Sequence, residues 1–372
     1  MSEKKRKGTP LWQISKKFNF AAEKIIPDSF VFCVVLTLVV AVLSLTVCHI
    51  GPVELLTSWW DGLSSQFTLA FQMGLMVVVC ATCARSPQVS KLLDGLAGLV
   101  HTRVAALILL MAFGYVSSML NWAFCTIVTP ILAMQLAKRV KGLHFPMMVA
   151  GGYCCMILGQ CLGPSATLYS NLATEGSNYA EIVGKTMTVA ETCYNPVNVV
   201  LWVVLAVCFI VLVLFTQPGD DELVELRSIA TQADVAPKDY QSREKATTPA
   251  EKMNTCKPIM WVVGAAIFIY IIYSIATKGF FATLNMNMVI FMFVGINCFL
   301  FPQPHSWMEA HTDSMHLATD VILQFPFYGA IMGMMYVEGG LGSVIVNAIV
   351  SVATAQTMPI FSFLSACIVN LF

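Results

Sequence analysis

Charge is scarce in this sequence. Of its 372 residues, 11% are Asp, Glu, Lys or Arg, where a soluble globular domain carries about 25%. The shortage is sharpest where charge would cost most: no acidic or basic residue lies near the middle of any long apolar stretch, and Asp28, Asp320 and Glu338 sit near ends. A charge at a bilayer centre costs roughly 2.5–3.5 kcal/mol on insertion scales, so proton relays and voltage sensors announce themselves by such residues. A buried carboxylate-to-carboxylate proton path is therefore disfavoured. Other absences narrow the function further. There is no nucleotide-binding loop, no nucleophile elbow and no HExxH helix, so the chain does not read as an enzyme, and nothing in it points to nucleic acid. The basic N-terminus lacks a cleavage site of small residues, so the apolar segment that follows should be retained as a span.

What remains is apolar. Hydrophobic residues make up 57% of the chain, arranged in stretches long enough to cross a hydrocarbon core about 30 Å thick. The clearest are Phe30–Ile50, Gln66–Ala84, Met147–Tyr169, Cys193–Thr216, Ile259–Thr277, Ala282–Phe301 and Ala318–Val337. The fold class is an all-α polytopic membrane protein. Most of the 13 cysteines lie inside these runs, where they act as small hydrophobes. Cys80-x-x-Cys83 has redox or metal spacing but no second pair; helix packing explains it and Cys154-Cys155. His305, His311 and His316, with Glu309 and Asp313, read as a solvated loop, with metal binding as the alternative.

One apolar segment, Val104–Ala137, is interrupted at its middle by Asn121-Trp122. If it enters and leaves on one side, every basic residue except Lys185 and Lys278 is cytoplasmic; if it crosses once, little more than half are. The positive-inside bias favours the first case and puts the N-terminus in the cytoplasm. Two full spans would preserve the same sidedness. Cys125–Ala137, however, is only 13 residues, so a re-entrant hairpin is expected, its tip buried in protein or facing a water-filled cavity. Between Gln66–Ala84 and this hairpin, Ser86-Pro87 starts an amphipathic helix over Ser86–Thr102. The expected organisation is a basic tail (1–29), a first transmembrane repeat (30–216) with the hairpin at 104–137, a cytoplasmic loop (217–257), a linking span (258–277) and an incomplete second repeat (278–372).

The repeat rests on spacing. Gln72 precedes Asn121 by 49 residues and Gln324 precedes Asn370 by 46. The amphipathic stretch Leu341–Val352 falls where Ser86–Thr102 places it, and an odd number of crossings separates the two units, so their orientations are opposite. Inverted repeats with paired interrupted segments are the best sequence pointer to a secondary carrier's binding site.

The binding candidates follow. A half-helix N-terminus favours a carboxylate and a C-terminal end favours a cation; Asn121 can serve either. Trp122 stands beside it, and Ser118 and Thr126 add hydroxyls for a coupling ion such as Na⁺ or H⁺. In the following span, Gly159-Gln160-Cys161-Leu162-Gly163-Pro164-Ser165-Ala166-Thr167 favours an unwound middle, with Gly159, Gln160, Gly163, Ser165 and Thr167 as binding residues and Pro164 at a kink. Pro326 kinks a later span, and Asn370 is the symmetric partner of Asn121. A structural asparagine bridging helices and plain kinked helices remain the alternatives. No metal or other cofactor is expected.

The order of Pro27-Asp28-Ser29-Phe30, Trp60-Asp61-Gly62, Gln72-Met73, Asn121-Trp122, Ala137-Lys138-Arg139-Val140, Gln324-Phe325-Pro326-Phe327-Tyr328 and Gly340-Leu341-Gly342 resembles the bacterial short-chain fatty acid transporter family along essentially the whole chain. The resemblance implies an inverted-repeat secondary carrier with re-entrant hairpins and an elevator-like motion. The partners implied are a small monocarboxylate such as acetoacetate or butyrate and the lipid bilayer of the bacterial inner membrane; a homodimer stays open. Two departures stand out. The family is richer in glycine where this chain has Gly159-Gln160-Cys161, and it continues past the residues matching Ile368-Val369-Asn370 with a Pro-Ser-Gly-rich turn. The second repeat is thus expected to be incomplete and the chain a truncated form that does not transport alone. A cation/proton antiporter of the same architecture, a membrane-embedded metal or thiol enzyme and a non-transporting membrane subunit are the alternatives.

Overall fold

The computed structural model describes residues 8–162, 169, 172–173, 180, 183–229, 238–240, 246–352, 354 and 356–371. These residues are helical, without strands among them. The longer helices are α1 (Pro10–Ile25), α2 (Ser29–Thr46), α3 (Pro52–Ser65), α4 (Phe67–Ala84), α5 (Pro87–Ala97), α6 (Arg103–Leu120), α7 (Trp122–Arg139), α8 (Phe145–Leu162), α9 (Pro196–Phe215), α10 (Lys257–Lys278), α11 (Met286–Leu300), α12 (Pro304–Thr312), α13 (Thr319–Met335), α14 (Leu341–Val352) and α15 (Met358–Leu371). Six helical stretches among the described residues are long and apolar enough to cross a membrane, and 145–159 and 286–300 are shorter apolar helices. The protein is a multi-pass α-helical membrane protein.

Many of the helices begin at a side-chain cap, which replaces the hydrogen bonds that a helix N-terminus lacks. Asp28 accepts from Phe30 N at 3.0 Å, Thr102 from Ala105 N at 3.2 Å and Asn285 from Met288 N at 3.0 Å. Ser86 accepts from Val89 N at 3.2 Å with Pro87 in the first turn, the start read from the sequence. Two stretches are more ordered than the sequence reading expected. The basic tail carries α1, and the connection 51–65 is the helix α3.

The chain divides into two compact units: Met1–Ala21 with Leu75–Ala318, and Ala22–Gly74 with Thr319–Phe372. In the first, α6 and α7 form an antiparallel hairpin. Residues on either side of the break meet, since the Cys125 thiol reaches Gly114 O at 3.3 Å. The mouths meet too. The Arg103 guanidinium lies against Gly142, just past α7, where φ is +74° and a side chain would be both strained and blocked. α8 packs along the hairpin, and α9 closes over both. Tyr115 Oη donates to Ala206 O at 3.0 Å, and Trp202 Nε1 donates to Leu158 O at 3.1 Å.

The segment 217–229 is fastened beneath the hairpin. Val224 N donates to His144 Nδ1 at 3.1 Å, Phe145 N to Val224 O at 2.9 Å, Gly142 N to Glu225 Oε1 at 2.7 Å, and Arg103 pairs with Asp220 at 3.2 Å. Burial of His144 lowers its pKa, opposed by nearby Glu222. Further on, Lys238 pairs with Asp313 at 2.7 Å and Glu309 at 3.1 Å and lies over the Tyr240 ring, itself buried against Phe301. The hydrophilic loop is thus tied down at two places.

In the second unit α3 lies on α13 with almost no side chain between them. A Cβ on Gly62 would sit 2.9 Å from Gly333 Cα and closer still to Gly329 O. Gly329 and Gly333 stand four apart, the small-xxx-small spacing that lets transmembrane helices touch backbone to backbone. Phe327 fills the flank, edge-on to Phe30 at 5.3 Å and to Trp59 at 6.1 Å. Pro326 is buried inside α13, which continues through it.

Candidate functional site at the hairpin tip

Two 18-residue helices meet at Asn121, whose extended backbone (φ −164°, ψ 133°) ends one and starts the other. The second arm, Trp122–Arg139, is longer than the 13-residue run read from the apolar pattern, because the helix absorbs Trp122 at one end and Lys138 and Arg139 at the other. At 1.5 Å per residue it is about 27 Å long. Shortness of that arm therefore no longer argues for re-entry, and charge placement fits a re-entrant hairpin and two full spans alike.

Asn121 is fully buried. Its Oδ1 accepts from Ala123 N at 2.8 Å and Phe124 N at 3.1 Å, capping α7. Its Nδ2 donates to Met76 Sδ at 3.0 Å, and the Cys80 thiol stands 3.5 Å from Oδ1. The asparagine is thus a helix cap held by two soft sulfur neighbours on α4. The functional and the structural reading meet in one side chain: the amide that keeps the break open also sits at the positive end of α7. Sequence reading assigned Cys80 to packing and missed its place at the tip; a position 41 residues away leaves no local signal.

Gly159 is brought to the same place. A Cβ there would lie 2.7 Å from Ser118 Cβ and 2.9 Å from Ser118 O. The contact continues down the helices, with Gly152 facing Thr129 and Gly114 facing Cys155. Small residues thus let α8 lie against the hairpin from tip to mouth.

The hydroxyls near the tip spend their protons locally. Ser118 Oγ donates to Tyr115 O at 2.9 Å and Thr126 Oγ1 to Trp122 O at 2.8 Å. Their oxygens keep lone pairs for a further donor or a cation. Pro130, inside α7, has no N–H for the Thr126 carbonyl one turn back. The Trp122 ring is half-buried, and its Nε1 has no partner among the described residues. On α11, Asn297 donates to Val79 O at 2.9 Å, while its own buried Oδ1 is unmatched among the described residues. The sequence reading missed this amide, which stands one turn from Phe293, itself 5.4 Å from Phe124.

The other sequence candidates are not all visible. Gly163, Pro164, Ser165 and Thr167 lie outside the described residues, as does the Gln160 side chain. Position 370 falls within α15, and the Asn370 side chain also lies outside them. The histidines read as a solvated loop are on helical turns instead, His305 and His311 in α12 and His316 in the short turn after it, and His311 Nδ1 is 3.5 Å from Thr82 Oγ1. No group of three or more metal-ligating side chains comes together among the described residues.

Comparison with known proteins adds an independent line. A family model described as short chain fatty acid transporter matches residues 11–372. A protein of Escherichia coli strain K12 is 27% identical over 360 residues, 96% of this chain and 80% of its own. One of Haemophilus influenzae is 26% identical over 367 residues, with the same two shares. Both carry the description "Putative short-chain fatty acid transporter". No solved structure matches.

Proposed function

This chain belongs to the short chain fatty acid transporter family, and we propose on that basis that it is a secondary carrier of short-chain monocarboxylates across a bacterial inner membrane. The observation that carries the site is the break at Asn121: a buried amide at the start of a half-helix, with α8 pressed against it through Gly159. The carboxylate is drawn to the N-terminal end of α7 and to Asn121 Nδ2, which must leave Met76 to receive it. Trp122, Gly159, Gln160, Gly163, Ser165 and Thr167 are the further substrate-binding residues, with Pro164 the kink read from the sequence; all of 163–167 lies outside the described residues. A coupling cation, Na⁺ or H⁺, sits on the oxygens of Ser118, Thr126 and Asn121. Asn370 plays the part of Asn121 in the second repeat. The N-terminus is cytoplasmic, and the hairpin is re-entrant from that side.

The inverted repeat is supported by helix order. An apolar helix, a less apolar helix, a second apolar helix, an amphipathic helix and a hairpin arm occur as α2 to α6 and again as α11 to α15. The scarcity of central charge favours this reading over a cation/proton antiporter. Labelled butyrate binding to the whole chain in lipid nanodiscs, with and without Na⁺, tests it. Binding should be Na⁺-sensitive and should fall at least tenfold in Asn121→Ala; unchanged binding in that variant removes the site assignment.

A further inference from the structure

Among the described residues, nothing packs on the apolar face of the N-terminal helix α1. Leu11, Ile14, Phe18 and Ile25 recur at three-, four- and seven-residue steps, one side of a helix, and are 40%, 51%, 73% and 77% exposed. The opposite side is occupied. Trp12 Nε1 donates to Glu222, Lys16 pairs with the same carboxylate, and the Trp12 ring stands edge-on to His144 at 5.1 Å. Lys17 and Lys24, two turns apart and exposed, border the apolar stripe.

We propose that α1 lies in the plane of the membrane surface, its apolar face in the acyl chains and Lys17 and Lys24 on anionic phospholipid headgroups. Three observations choose this occupant. Three residues separate the end of α1 at Ile25 from the membrane span α2, which starts at Ser29. Chain of that length reaches about 10 Å, so the end of α1 cannot leave the bilayer surface. The border charges have the sign that anionic headgroups attract, and Lys4, Lys5, Arg6 and Lys7 precede them in the sequence. A helix with a strong apolar face and a basic polar face is the form that binds in the interface. Because its far side holds Glu222, within the segment fastened to the hairpin mouth, α1 stands between lipid charge and the hairpin.

The test needs no substrate, so it is independent of the transport reading. Hydrogen exchange over 10–25 is compared for the whole chain in nanodiscs of phosphatidylcholine alone and with phosphatidylglycerol. Phosphatidylglycerol should slow exchange, and Lys17→Glu with Lys24→Glu should remove that slowing, about fivefold per lysine. Phe18→Ser should speed exchange in both lipids, with exchange over 103–139 unchanged as the folding control. Equal exchange in the two lipids, slowing that survives the double reversal, or protection that depends on two copies sharing a disc would each overturn the proposal.

Discussion

The hairpin tip and the α3–α13 contact solve opposite problems with similar residues. Both bring helices close through glycine. At α3–α13 the closeness is the purpose: Gly62 meets Gly329 and Gly333 backbone to backbone, with the stem of Gln66 lying against Gly329. At the tip, glycine makes room for something polar. Gly159 clears Ser118, and Asn121 beside it closes the helix break with its own amide. Two helices with an interior proline repeat the lesson. α13 runs through Pro326 and α7 runs through Pro130, but the chain stops being helical at Asn121. Losing one N–H does not open a helix here; an asparagine that can satisfy two N–H groups at the start of the next one does.

Filling the tightest contact should have the largest effect. Gly62→Val forces a branched side chain into the Gly329 backbone, so loss of folded protein in detergent, or destabilisation at the upper end of the 1–3 kcal/mol overpacking range or beyond, is expected. Thermal unfolding reads it, and near-wild-type melting would mean α3 and α13 do not touch as described. Gly159→Ala tests the corresponding closeness at the tip. It should cost about 1–3 kcal/mol, partly recovered by Ser118→Gly, which removes the atom it strikes; equal cost with and without that second change would deny the contact. Asn121→Ala should cost about 0.5–2 kcal/mol through the lost cap.

The smallest effect belongs to the Lys238 clasp, which is solvent-exposed. Asp313 and Glu309 raise the Lys238 pKa from 10.5 to about 12, and Lys238 lowers that of Asp313 from 3.8. A raised lysine contributes its stabilisation in full below 10.5 and loses it as pH climbs through about 12. A lowered carboxylate contributes above 3.8 and loses it as pH falls through its folded value. Limited proteolysis around 238–240 should therefore be slowest at neutral pH, faster in acid or high salt, and faster throughout in Lys238→Gln. A flat profile would show that the clasp holds nothing.

Much of this fold was legible from hydropathy alone, because spans must be apolar throughout. The cap at Ser86, the amphipathic helix over 341–352 and the interruption at Asn121 were readable from local chemistry. α3 was not, since Pro52–Ser65 mixes Glu54, Asp61 and Gly62 into a weak pattern. α1 was overshadowed by its lysines, although its apolar spacing was there to read. The hairpin arms were placed correctly in order but misjudged in length, because α7 extends into charged residues that hydropathy assigns to a loop. What local sequence cannot show is which distant atoms gather: Met76 and Cys80 at Asn121, Gly159 at Ser118, Asn297 at Val79.

The central claim is that Asn121 serves the substrate as well as the helix, and one substitution separates the two roles. Asn121→Ser keeps an oxygen that can cap Ala123 N and Phe124 N but removes the amide donor and adds no charge. Measured together, the melting temperature should stay within a few degrees of wild type while labelled butyrate binding is lost. A variant that melts normally and binds butyrate as well as the wild type would reduce Asn121 to a cap and contradict the account.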